Sequence, residues 1–191
     1  MPADVDEGDV IVVCHGAASA SPSAHADFTT LASAGNTNGI FTDSGCIVSY
    51  KIADGTEASQ GYAGWANGEW TVSVWRPDVP CRTLTAQDTA SYAGTGDPAP
   101  NVMDMGVSSS TVPTVAVYMI WESGTVNGAD FGTFSGDGND PVVGSTQLLE
   151  DDGSDSIISY QHAQDAGGFD ITADIGDIGV QASASGYLEV Q

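Results

Sequence analysis

The sequence contains three imidazole bases, His15, His25 and His162, and none of them lies in a recognisable nucleophile context. A nucleophilic site needs a Ser, Cys or Thr whose proton a His accepts, and a carboxylate that orients the His. Cys14 and His15 are adjacent, but adjacent residues of a strand project to opposite faces, which argues against cooperation. We therefore predict no catalytic residue and no enzymatic activity.

Metal-ligand patterns are equally sparse. A metal enzyme of the cupin type needs His-x-His with a further carboxylate and His, and the scattered histidines do not match. The acidic glycine loops at 137–140 and 150–155 offer the oxygen ligands that Ca²⁺ and Mg²⁺ prefer, but neither has Asp-x-Asp-x-Asp-Gly spacing. We predict no cofactor and no specific metal site. The candidate ligands for non-specific Na, K, Mg or Ca ions are Asp137, Asp140, Asp151, Asp152 and Asp155.

The four tryptophans, Trp65, Trp70, Trp75 and Trp121, could together form an aromatic platform for a sugar ring, although core packing is their commoner use. Trp70 shares the apolar face of an alternating strand with Val72 and Val74, so it is predicted to pack inside. Trp65 and Trp75 are the candidates for an exposed or interfacial role.

The cysteines Cys14, Cys46 and Cys81 are 32 and 35 positions apart, without the close pair of a zinc knuckle or redox motif. At most one disulfide can form within the chain. Because free cysteine is among the most buried residue types, we interpret all three as small buried hydrophobes.

The elements that must position these residues are predicted to be strands. Short β-branched and aromatic runs recur between Gly, Asn, Asp and Ser clusters, as at the Asn67-Gly68 and Asp54-Gly55 turns. We expect one all-β domain over residues 1–191, a jelly roll or β-sandwich-like barrel with at most short helices and a surface excursion around 83–111. The predicted strands are 9–14, 27–32, 39–42, 46–52, 69–76, 114–121, 130–134, 142–149, 156–161, 169–175, 178–182 and 187–190. Short helices are expected from Ser23 towards Ala34 and at 85–90.

The run at 115–121 is apolar on both sides. This pattern fits a central strand that the chain itself covers on two faces, or a strand whose outer face meets another subunit.

Charge is the strongest compositional feature, because 26 acidic residues face only Lys51, Arg76 and Arg82, for a formal net charge of -23. At molar salt the Debye length falls to about 3 Å, so the repulsion is screened, and we predict a protein adapted to brine. Direct nucleic-acid binding and binding to anionic membranes both need clustered Lys or Arg, which this chain lacks. The acidic start and the absence of a long apolar run lead us to expect synthesis and folding in the cytoplasm and no membrane insertion.

The segment at 64–77, Gly-Trp-Ala-Asn-Gly-Glu-Trp-Thr-Val-Ser-Val-Trp-Arg-Pro, resembles the aromatic hairpin of haem- or sugar-binding β-sandwiches of the DOMON type. In that family a Met together with a Lys or His ligates haem. The resemblance would nominate Met103, Met105 and Lys51 as ligands.

The whole profile, acidic, all-β and poor in cysteine with no catalytic motif, is similar to the small single jelly-roll capsid proteins of haloarchaeal icosahedral viruses with internal membranes. The resemblance implies a shell subunit, made in the host cytoplasm and located in the virion, that assembles with its own copies and other capsid proteins into capsomers. Tail-tube, turret and head-decoration proteins of salt-adapted tailed viruses share this profile and stand as alternatives. We favour a virion structural protein, since a shell subunit needs a rigid scaffold and lateral contacts but no active site.

Overall fold

The computed structural model describes residues 4–17, 22–36, 44–57, 68–93, 102–123, 134–135, 145–151, 155–164, 167–174 and 182–191. Within these residues the chain forms β-strands and no α-helix, which confirms the all-β prediction. The strands are β1 Val10–Ala17, β2 Thr29–Asn36, β3 Ser44–Ile52, β4 Gly68–Trp75, β5 Leu84–Ala93, β6 Val102–Ser110, β7 Thr114–Ser123, β8 Phe134–Ser135, β9 Ser145–Asp151, β10 Asp155–Gln164, β11 Gly167–Asp174 and β12 Ala182–Val190.

Two antiparallel sheets form a β-sandwich. The first sheet has the strand order β2-β3-β1-β4, and the second has the order β5-β12-β7-β10-β9. A further three-stranded sheet has the order β6-β11-β8. The sandwich was predicted from the sequence and is confirmed, whereas the jelly-roll connectivity stays a prediction.

Both helix predictions are wrong. Residues 29–36 form β2, and residues 84–93 form β5, which pairs along β12 from Leu84 opposite Val190 to Ala93 opposite Ala182. Local propensity is a weak prior, and the hydrogen-bonded ladder with β12 overrides the helix-forming residues of β5. The range 83–111, assigned to a surface excursion, thus contains the regular strands β5 and β6, while 94–101 lies outside the described residues. The predicted strand at 39–42 also lies outside them.

The main core lies between the two large sheets. Strand β1 contributes Val10, Val12 and Cys14, and the facing strand β7 contributes Val115, Val117 and Met119. Each of these side chains is at most 3% exposed. Full burial of a side chain of this size contributes roughly 1.5–3 kcal/mol relative to exposure, so this layer is the main source of stability.

A second, smaller cluster covers the outer face of the first sheet. Ile11 and Val13 of β1 contact Val5 and Phe28, which lie in segments outside the strands. Because β1 is apolar on both faces and both faces are covered, all eight of its residues are buried.

The inward face of β4 is the opposite of the one predicted. Its polar residues Thr71 and Ser73 face the second sheet, whereas Val72 and Val74 pack against the outer cluster. Trp70 is 40% exposed, so the prediction that it packs inside is wrong. Alternation shows that the two faces of a strand differ, but it does not reveal which face another part of the chain covers.

Over residues 114–119, the part of β7 whose side chains the structure describes, both faces of the strand are buried within the single chain. Ala116 and Tyr118, which alternate with its core-facing residues, are each 2% exposed. For this described part of the apolar run, the interpretation in which the chain itself covers both faces is correct.

Candidate functional site

One end of the sandwich brings together the three basic residues of the chain. At this end β1 begins and β3 and β4 finish, because Val10 pairs with Ile52 on one side and with Trp75 on the other. Lys51 is the penultimate residue of β3, Arg76 directly follows β4, and Arg82 precedes β5. We call this region the Arg76 end.

Arg76 fixes the N-terminal segment to the end of β4. Its Nε donates to Asp9 Oδ1 at 3.1 Å and its Nη2 to Asp9 Oδ2 at 2.9 Å, while Nη2 also lies 3.0 Å from Asp6 Oδ2. The backbone N–H of Asp6 donates to Asp9 Oδ2 at 2.9 Å. The hydrogen bonds from Arg76 hold the pKa of Asp9 below its usual value, although burial opposes this. The buried Asp9 carboxylate is therefore charged at neutral pH.

Gly8 is the point at which three segments meet. Its N–H donates to the Ala53 carbonyl, and its own carbonyl accepts from the Cys81 N–H, each at 2.9 Å. Its φ is +89°, and a Cβ atom at this position would lie 2.5 Å from Cβ of Pro80. Backbone conformation and space thus both require glycine here.

A second ion pair lies beneath the turn that follows β3. Lys51 Nζ is 2.8 Å from Glu57 Oε1, and the Glu57 side chain has no exposed surface. Burial raises the pKa of Glu57. Hydrogen bonds from Lys51 and from the backbone N–H of Asp54 lower this pKa by more than burial raises it, so the net shift is downward. Lys51 Nζ also lies 5.7 Å from the ring centroid of Phe28. Ligation of haem by Lys51 would require this buried ion pair to break.

Arg82 differs from the other two cations. It is exposed, and among the described residues no carboxylate oxygen lies within 4.0 Å of its guanidinium. It lines an open cavity of about 620 Å³ together with Lys51, Asp27 and Asp54. The mixed charges of this cavity give it no clear preference for an anion or a cation.

A second cavity, of about 440 Å³, opens between the two sheets at the Arg76 end. Its walls are mainly apolar and come from both sheets and from the loop after β4. They include Val10, Trp75, Pro77, Val79, Pro80, Pro113, Val115, Ala163 and Val190. Arg76, Asp78, Thr114 and Gln191 supply its polar lining.

A buried polar cluster joins the two sheets. The hydroxyl oxygens of Thr71 and Ser159 are 3.1 Å apart. The Ser73 hydroxyl and the Trp75 indole N–H both donate to Gln161 Oε1, the indole bond being 2.8 Å long. Trp75, a candidate for an exposed role, is thus partly buried and held by a specific hydrogen bond, while the side chains of Trp65 and Trp121 lie outside the description.

Cys14 belongs to the same cluster. Burial raises the pKa of its thiol to about 12, although hydrogen bonds with Ser159 and Thr71 oppose the shift. Cys46 and Cys81 are also free and buried, with their thiol pKa values raised by burial. Because the thiolate is the nucleophile, none of the three thiols is activated for attack at neutral pH.

The histidines do not form a shared site in the described part of the chain. Burial lowers the pKa of His15, and a Cβ on Gly68 would lie 2.6 Å from its Nε2. His25 packs edge-on against Phe28, with Nδ1 3.9 Å from Asp27 Oδ2. His162 lies in β10, and its side chain is outside the description.

The predicted cation ligands are only partly described. Asp151 ends β9 and Asp155 begins β10, so both flank the hairpin between these strands. Asp137, Asp140 and Asp152 lie outside the described residues, as do the side chains of the proposed haem ligands Met103 and Met105 in β6. Among the residues described, no group of three His, Cys, Asp or Glu side chains is arranged to hold a metal ion.

Sequence reasoning missed the partners of Arg76 and Lys51. The relevant signal was the scarcity of cations, because a basic residue retained in so acidic a chain is expected to have a structural partner. The Asp54-Gly55 turn was predicted, and the positive φ of +83° at Gly55 confirms it.

No protein-family model matches the chain, and no similar curated protein or solved structure was found. Among the residues that the structure describes, no helix has the length and apolar character needed to cross a membrane.

Proposed function

We propose that the protein is a structural subunit of a virion, a capsid protein that assembles with its own copies and other capsid proteins in concentrated salt. The observation that carries the proposal is the net charge of -23 on a β-sandwich. Copies of such a subunit repel one another in dilute buffer and approach closely only where salt screens the charge.

The described polar groups support a structural role. The Arg76–Asp9 and Lys51–Glu57 ion pairs connect chain segments, and the polar cluster of Thr71, Ser159 and Gln161 connects the sheets. The buried thiols are held in their unreactive form. These groups act as internal connections, which is what a shell subunit needs from its interior.

The capsid assignment and the jelly-roll topology rest on the resemblance in size, composition and all-β architecture to single jelly-roll capsid proteins. Tail-tube, turret and head-decoration roles use the same physical properties and remain the alternatives. A haem-binding role is less well supported, because the nominated ligand Lys51 lies in a buried ion pair.

Sedimentation velocity of the purified protein between 0.1 and 4 M KCl tests the proposal. We expect a monomer at low salt and reversible formation of larger species at molar salt. Electron microscopy of those species separates the alternatives, since capsomers or closed shells support a capsid role and tubes or stacked rings support a tail-tube role. A monomer at every salt concentration would contradict the proposal.

A further inference from the structure

The loop after β4 carries the most exposed large apolar side chain of the described residues. Val79 is 75% exposed, and Trp70 at 40% is the other large apolar side chain that the described surface exposes. Pro77 and Pro80 flank Val79, and their fixed φ angles limit the conformations of the loop. Hydrogen bonding of the Cys81 N–H to the Gly8 carbonyl anchors the loop where it ends. Val79 is therefore exposed to solvent on a loop whose conformation is restricted.

The apolar cavity lies directly beside this side chain. Val10 and Val115, which are buried core residues of the two facing sheets, form part of its wall, as does Val190. The indole of Trp75 forms another part. Its volume of about 440 Å³ leaves room for an apolar side chain and part of the loop that bears it.

The protruding side chain and the cavity lie on one surface, so this surface offers both a projection and a recess. A two-fold contact requires this arrangement, because each copy must offer the same patch and receive the same patch. The rim of the cavity also carries residues of opposite charge, as a two-fold contact between identical surfaces needs. Asp78 is exposed, Arg76 is about half exposed, and both line the cavity.

Arg76 can accept a further partner. Its described contacts are made by Nε and Nη2, which leaves the Nη1 donors without a hydrogen bond to any described residue. A two-fold axis through the rim would set Asp78 of one copy against Arg76 of the other. This complementarity favours a second copy of the chain over a small apolar molecule, which would offer a partner neither to Asp78 nor to the Nη1 donors of Arg76.

We propose that the Arg76 end is a two-fold contact surface between two copies of this chain, in which Val79 of each copy enters the apolar cavity of the other. The inference rests on the proposed function, since it assigns one contact of the salt-dependent assembly. Asp4 and Asp6 lie close to Arg76 and add repulsion between copies at low salt. Molar salt screens this repulsion, and apolar burial then stabilises the contact.

Two variants test the apolar and the charged part of the contact separately. Val79→Ser removes the apolar side chain without a change of charge, and we expect it to weaken association by about tenfold or more. Asp78→Lys removes the carboxylate that the proposed contact sets against Arg76 of the other copy, and it places two cations together there. We expect weaker association even though the variant carries less negative charge overall.

The matched control is Asp155→Lys, which makes the same charge change at the start of β10, whereas Ala163, near the other end of that strand, lines the apolar cavity. General relief of repulsion predicts that this control associates at lower salt than the wild type. Sedimentation velocity across the KCl series measures all four proteins, with circular dichroism and thermal melting to verify the fold.

The outcomes separate the two proposals. If the wild type assembles and both test variants assemble as readily as Asp155→Lys, the contact inference is overturned while the proposed function stands. If the wild type is a monomer at every salt concentration, both are overturned. A neutral apolar dye that binds the monomer should be displaced on association, and dye binding unaffected by assembly would instead indicate a small-molecule cavity.

Discussion

Individual side chains at the Arg76 end show how a chain with few cations uses them. Arg76 binds Asp9 across 67 positions of sequence, and Lys51 neutralises a carboxylate that has no exposed surface. A buried carboxylate is costly unless it is paired and hydrogen-bonded, so each of these cations makes an otherwise unfavourable carboxylate tolerable. These two basic residues thus stabilise buried carboxylates within the fold.

Replacement of Asp9 by Asn should lower the free energy of unfolding at pH 7 by about 1–2 kcal/mol, a modest value because Arg76 is half exposed. The pKa of Asp9 is lowered in the folded state, so its contribution is complete above the ordinary Asp value near 4 and is lost as pH falls through the folded value. The difference between wild type and Asp9→Asn should therefore shrink below about pH 4. Urea denaturation at a series of pH values measures it.

Asp27→Asn is the control for this prediction, because Asp27 is exposed and no described Lys or Arg nitrogen lies within 4.0 Å of its carboxylate. We expect little change in stability. An Asp9→Asn protein as stable as the wild type at pH 7 would contradict the structural role of the ion pair.

The chemistry of single residues was partly predictable. The scarcity of cations and the burial of the cysteines were visible in the sequence, and the structure confirms that all three cysteines are buried. The pairing of Arg76 with Asp9 was not visible, since many carboxylates were available and nothing local distinguished the one that folding brings near.

Strands, taken as elements, are held face to face by polar as well as apolar contacts. Apolar alternation correctly located β4 but assigned the wrong face to the interior. Val72 lies on the outer face of the sheet, where Val5 and Phe28 from distant segments form part of the cluster that covers it. The second sheet meets β4 with Ser159 and Gln161 instead. Strand positions follow from local patterns, whereas the identity of the covered face depends on contacts remote in sequence.

A double-mutant cycle on Thr71 and Ser159 should reveal the contact between the sheets. Either Thr71→Val or Ser159→Ala alone leaves a buried hydroxyl without this partner and should cost about 1–2 kcal/mol. The double variant should cost less than the sum of the two, by about 0.5–1 kcal/mol, because no unpaired hydroxyl of the pair remains. Urea denaturation measures all four proteins.

Thr85→Val, at an exposed position of β5, is the matched control for this cycle. Its effect should be small and should add to that of Ser159→Ala. Simple additivity of Thr71→Val and Ser159→Ala would show that the two hydroxyls do not interact in solution.

At the scale of the whole molecule, charge sets the conditions under which the sandwich is stable. A net charge of -23 disfavours the compact state in dilute buffer through self-repulsion. The core between the sheets opposes this effect but does not depend on the sign of the surface charge. Salt should therefore shift the balance towards the folded state without any change in the contacts that define the fold.

The thermal unfolding midpoint should rise between 0.1 and 3 M KCl, by roughly 10 °C or more, since screening is nearly complete at the higher concentration. A variant with Asp4→Asn, Glu7→Gln and Asp27→Asn neutralises three exposed carboxylates and should have a higher midpoint at low salt and a weaker salt dependence. Differential scanning calorimetry checks both. A midpoint independent of KCl would contradict adaptation to brine.

The position of β12 has a consequence for the time course of folding. This strand lies between β5 and β7 and pairs with both, although both precede it by many residues in the chain. Local hairpins alone therefore cannot complete the five-stranded sheet. The ladders of β12 with β5 and with β7 form only after the long intervening chain segments have lost conformational entropy. Folding should be slow for a chain of this size, and the unpaired edges of β5 and β7 would stay exposed until β12 inserts between them.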